Sequence, residues 1–269
     1  MKGSNTKKQS GAVLIILMLG LVLFFATIFL TGVDKASQLL RKYTTTQQSL
    51  ASAKELLINF ALLSDQQPLS PGVGYLPCPD TNGDGLSNTP CGVSGESVEG
   101  WLPWQTLGSK VLKDGNAICL RYVVSGNYKI APPSLLVKVP TPTEGHFVVH
   151  DQNNSILLGN VAADYALAVV FSPGQAVTGQ TRGLGVGAET TCGSSVIGAA
   201  ANLATNYLDS LSTVDNANGT YAGPGMPGSS ALPTSLPSVF IQAEKQTGFN
   251  DELIWVSPQD FNDVYGRMP

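Results

Sequence analysis

Charge is scarce in this sequence. Only 13% of its 269 residues are Asp, Glu, Lys or Arg, about half the share usual in soluble domains. Apolar residues make up 43% and the net charge is −4, which excludes a largely disordered chain. There is no dense basic run and the pI is near 5.1, which argues against a nucleic-acid partner. Four cysteines in 269 residues are too few for a disulfide miniprotein. Enzyme signatures are scarce as well: no GxSxG elbow or HExxH occurs, and the one SxxK, Ser4 to Lys7, lies in the basic head before the apolar run. The run GLGVG at 183–187 lacks the GK[ST] ending of a phosphate loop. No catalytic residue is expected, and the chain reads as a non-enzyme.

What charge there is lies unevenly. All nineteen acids lie at or after Asp34, whereas Lys2, Lys7 and Lys8 precede residue 12. Between head and body stands AVLIILMLGLVLFFATIFL, residues 12–30, without a charge. As a helix it would be about 28 Å long, close to the hydrocarbon thickness of a bilayer. A soluble amphipathic helix would show polar positions every turn. Lysines before the run and Asp34 after it predict a cytoplasmic N-terminus and a translocated body. The run is longer than the 7–15 residues of a removable signal, and TGVDK at 31–35 is a poor cleavage site. The expectation is a retained transmembrane helix over residues 12–33.

Residues 34–64 contain no proline. Leu39, Tyr43, Leu50, Leu57 and Ala61 recur at spacings of 4 and 7, with Ala53 and Phe60 alongside, which predicts an amphipathic helix continuing the span. Pro68, Pro71, Gly72, Gly74 and Pro77 end it. Beyond them the chain reads as short strands and loops over residues 65–269. Strand candidates are 121–124, 135–139, 146–150, 165–171 and 253–256. A helix is expected at 197–211. Residues 212–237 are rich in Gly, Ser, Asn and Pro and read as a long flexible surface loop.

Several residue groups could carry chemistry. Cys78, Cys91, Cys119 and Cys192 lie beyond the span, where an oxidising space favours disulfides in one of three connectivities. Cys78–Cys91 with Cys119–Cys192 is the favoured pairing; zinc is the rival, without a CxxC pair to support it. Asp80, Asn82 and Asp84 place oxygens at alternate positions with Gly85 at the sixth, the first half of an EF-hand-like calcium loop. Position twelve is Cys91, so a calcium ion would need Glu96 or Glu99; the competing reading is an Asx-rich turn. Trp101 and Trp104 read as core anchors. His146 and His150 would share one face of a strand, without a third metal ligand in view. Asp251, Glu252, Asp260 and Asp263 are expected on solvated surface.

The junction Lys7-Lys8-Gln9-Ser10-Gly11, followed at once by the apolar run, resembles the leader of type IV pilins and type II secretion pseudopilins. Further blocks follow in order along nearly the whole chain. They are SLASAKELLINFAL at 49–62, LPCPD with NGDG at 76–85, GWLPWQTLG at 100–108, LRYVVS at 120–125, VVFSPG with GQTR at 169–182 and FNDELIWV at 249–256. Together they resemble a group of prepilin-type, type II secretion-like membrane proteins. The resemblance implies an α+β fold: a long N-terminal helix, transmembrane in its first half, packed on a mainly antiparallel β head. It also implies that a prepilin peptidase removes residues 1–11 by cutting between Gly11 and Ala12, with methylation of the new amine. Two positions depart from the family pattern, where Phe is usual at the first mature position and Glu at the fifth; here they are Ala12 and Ile16. A carboxylate in hydrocarbon is costly unless paired, so a subunit with Ile16 loses one registry contact, which points to a minor subunit. The implied partners are other pilin or pseudopilin subunits, the peptidase and an inner-membrane assembly platform. Calcium-stabilised members exist among pseudopilins. The alternative expectation is a membrane-anchored periplasmic or surface binding module outside any filament.

Overall fold

The computed structural model describes residues 10–68, 70–133, 144–182, 192–193, 202–211, 214–218, 220–221 and 237–266. The chain divides into two units, residues 1–44 and 45–269. Helix α1, Ser10–Leu62, runs through both. It is unbroken at Thr44–Thr46, the weakest point by propensity. A 3-10 turn at Ser64–Gln66 follows it, as the prolines predict.

Among the described residues no helix is long and apolar enough to cross a membrane. The crossing expected of residues 12–33 is therefore not met by them. The side chains described within that stretch cover 14–27, about 21 Å of helix against a hydrocarbon layer of about 30 Å.

The second unit is α+β. Its main sheet is antiparallel, in the order β1 (Val98–Trp101), β2 (Arg121–Val124), β5 (Ala168–Ser172), β10 (Glu252–Val256). A second sheet has the order β4 (Ile156–Leu158), β3 (Phe147–Asp151), β9 (Ser238–Gln242). In it β3 and β9 run parallel, with Phe147 opposite Ser238 and Val149 opposite Phe240. Three two-residue strands, β6 (Ser210–Leu211), β7 (Val214–Asp215) and β8 (Thr220–Tyr221), form a meander. Helix α2, Pro258–Tyr265, closes the described chain.

Strands β2 and β5 are buried on both faces, as runs rich in Val and aromatics should be. Alternation across the main sheet separates two cores. Tyr122, Val124, Ala168, Val170 and Val256 meet Leu50, Ala53, Leu57 and Ala61 of α1. Val123, Val169, Phe171 and Leu253 point the other way, toward Phe147, Val149 and Phe240 of the second sheet. The head is thus layered helix, sheet, sheet.

Several expectations change. The buried stripe of α1 runs through Thr46, Leu50, Ala53, Leu57, Ala61 and on to Ser64, while Leu39 and Tyr43 are exposed. Its two ends are hydroxyl residues with partners: Thr46 Oγ1 accepts the Gly115 N–H (3.0 Å), and Ser64 Oγ accepts that of Tyr75 (3.1 Å). The described part of 197–211 holds a 3-10 turn at Ala204–Asn206 and strand β6 rather than one α-helix. The described part of 212–237 contains β7 and β8, with Val214 and Asn216 buried, so it is not simply a surface loop. Most of that segment, the strand expected at 135–139 and the GLGVG run lie outside the described residues.

Candidate functional site

In the first unit α1 turns apolar side chains in every direction. The large ones between positions 14 and 25, Ile16 included, are 50–70% exposed. Burial of apolar surface is worth about 25 cal/mol per Å², so a helix open all round in this way asks for apolar surroundings. The hydroxyl of Thr27 donates to the Phe24 carbonyl at 2.8 Å, so it needs no water. Gly11 and Ala12 fall in the first turn of α1.

In the head, both expected disulfides are present: Cys78–Cys91 and Cys119–Cys192, with no free cysteine. The zinc alternative is thereby removed for these four. Asp80 is wholly buried. Its Oδ1 accepts the N–H groups of Asn82 (3.0 Å) and Gly83 (2.6 Å), and its Oδ2 accepts that of Gly85 (2.7 Å). Asn82 Nδ2 donates to Asp84 Oδ2 (3.0 Å), and the Leu86 N–H to Asp84 Oδ1 (2.8 Å). Burial pushes the Asp80 carboxyl up to about 6, against the pull of those three N–H donors. Gly85 sits at φ +86° with the Trp104 ring where a Cβ would be, so the turn demands glycine. Glu96 accepts the Val93 N–H at 2.8 Å and Glu99 pairs with Arg121, so neither faces the loop. Among the described residues no cluster of three His, Cys, Asp or Glu is arranged for a metal. The hydrogen bonds of these residues are those of an Asx-rich turn.

Trp101 is a core residue, 1% exposed, with the Arg121 guanidinium 4.3 Å from its ring centroid. Trp104 is half-buried. Arg121 also forks onto buried Glu99 through Nε (2.6 Å) and Nη2 (2.7 Å). Burial pushes Glu99 up and Arg121 pulls it back. His146 precedes β3 and its Nδ1 meets Ser97 Oγ at 2.8 Å; His150 lies on the strand and meets Asn154 Oδ1 at 2.8 Å. Burial lowers the His146 pKa. The hydroxyl of Ser97 also accepts the Gly126 N–H and is fully buried, so a substrate could not reach it for attack.

Of the acids expected on solvated surface, Asp263 is exposed, Glu252 and Asp260 are half-buried, and Asp251 needs correction. Asp251 is fully buried: its Oδ2 accepts from the Asp209 N–H (2.8 Å) and Asn216 Nδ2 (3.1 Å). Burial, then the charge of Asp209, raises its pKa well above the usual carboxylate range. Asp260 closes a capping box with Ser257 and pairs with Lys54 at 2.7 Å. Two features are not apparent from the residue pattern: the Glu99–Arg121 pair, and a groove of about 380 Å³ between β4 and the start of α2. The lack of Lys and Arg over residues 139–181 is legible in the sequence, but the groove itself is not.

Compared with known proteins, the chain matches no family model, no curated protein and no solved structure.

Proposed function

We propose that this chain is a minor pilin-like or pseudopilin-like subunit, anchored in the bacterial inner membrane by residues 12–33, with its head on the far side. It takes part in assembling a type IV pilus or type II secretion pseudopilus. The observation that carries this reading is the unbroken α1: fully apolar and open over 14–25, then seated by one stripe in a β head. The uncharged run at 12–30 supports it in length, and the Lys7-Lys8-Gln9-Ser10-Gly11 junction supports cleavage before Ala12. Two disulfides suit an oxidising compartment. Assembly then needs no catalytic group: cleavage frees an amine, the helices pack laterally within the membrane, and the head sets the contacts. In a bacterial host with a prepilin peptidase, Gly11→Arg is expected to leave an uncleaved membrane precursor while wild type is shortened by eleven residues. A wild-type chain that keeps residues 1–11 in that host would refute the processing step.

A further inference from the structure

Strand β4 stands at the edge of its sheet, with β3 as its single described neighbour. Among the described residues, its outer edge therefore offers backbone N–H and C=O groups without a strand partner. Edge strands are usually blunted by charge or proline, yet β4 reads Ile-Leu-Leu. Ile156 and Leu157 are each 47% exposed, and Val161 just beyond is 53% exposed. Helix α2 faces this edge across the groove, whose lining includes Leu157, Leu158, Asp164, Gln259 and Asn262. The Asn262 Oδ1 atom is buried there with no hydrogen-bond partner. An edge strand and a helix flanking a groove is the geometry that admits an extended peptide as an added strand: its main chain pairs with the edge and alternate side chains enter the groove.

The charge around the groove selects the occupant. Its walls come from two stretches, 139–181 and 246–266, and neither contains a Lys or Arg. Asp151, Asp164, Asp260 and Asp263 are the acids on β3, on α2 and in the turn after β4. Lys54, which meets α2, is taken up by Asp260 at 2.7 Å. A groove of mixed lining, with Asp164 in its wall beside the aliphatic side chains of β4, suits cations set between aliphatic side chains.

We propose that the groove between β4 and α2 binds an extended segment of a partner protein in which lysine or arginine alternates with aliphatic residues. This does not rest on the filament reading. The test uses the full-length protein in nonionic detergent and a capped, dye-labelled hexapeptide of alternating lysine and valine, followed by fluorescence anisotropy and amide hydrogen exchange. Binding is expected, with slowed exchange at residues 156–158. It should weaken by roughly tenfold in Asp164→Lys, and by as much when glutamate replaces lysine in the peptide. Val93→Ser, an exposed apolar position away from the groove, should change nothing. No binding at millimolar peptide, equal binding of the glutamate peptide, or indifference to Asp164→Lys would overturn the proposal. So would self-association abolished by Leu157→Asp, which would give the groove to a second copy of this chain.

Discussion

Leu19 and Leu57 lie on one helix and share a side chain, yet one is 62% exposed and the other fully buried. Around Leu57 the helix repeats its small and apolar residues at three- and four-residue intervals, and one stripe meets the main sheet. Around Leu19 there is no polar face at all, so no orientation in water would hide the apolar one. Among the described residues, the first stretch leaves its apolar side chains uncovered. The second is built for its own fold.

Substitutions in the two stretches should therefore diverge. The largest expected effect is in the head: Arg121→Ala leaves Glu99 buried without its partner, and should cost roughly 3–5 kcal/mol in denaturant unfolding of the full chain in nonionic detergent. Glu99→Gln together with Arg121→Met should recover much of that loss. Opening the Cys119–Cys192 bridge, which spans 73 residues of chain, should cost roughly 4 kcal/mol on loop entropy. Leu57→Ala should cost about 3 kcal/mol, whereas Leu19→Ala and Leu39→Ala should stay within about 0.5 kcal/mol of wild type in the same unfolding. A loss at Leu19 comparable to that at Leu57 would break the comparison. A further difference is pH dependence. Asp80 keeps its proton up to about pH 6 in the fold, against 3.8 ordinarily. The folded state thus holds an extra proton in that window, so its stabilising contribution is complete below 3.8 and lost as pH rises through about 6. Asp80→Asn should flatten that slope in melts taken between pH 4 and 7.

Much of this was legible from residue pattern. Strand β2 falls at Arg121–Val124 as its β-branched run predicts, and β3, β5 and β10 lie within three residues of expectation at each end. The disulfide pairing follows from short loop closure for Cys78–Cys91, which leaves the other two cysteines to each other. The failures have a common cause: hydropathy says nothing about polar groups that find partners far along the chain. Thr46 and Ser64 belong to the buried stripe because backbone N–H groups from Gly115 and Tyr75 reach them. Asp251 is buried because Asp209 and Asn216, on a segment expected to be helix and loop, donate to it. Asp80, Asn82 and Asp84 show the spacing of a cation loop, but three N–H groups already occupy the carboxylate of Asp80. The parallel pairing of β3 with β9 joins residues some ninety positions apart, beyond the reach of any local signal.

The most direct test is the intact mass and N-terminal sequence of the wild-type protein recovered from carbonate-washed membranes of a host carrying a prepilin peptidase. A chain that stays in the membrane and begins at Ala12 is the predicted result. A chain released by the wash, or one that begins after Leu30, would contradict the anchored-subunit account.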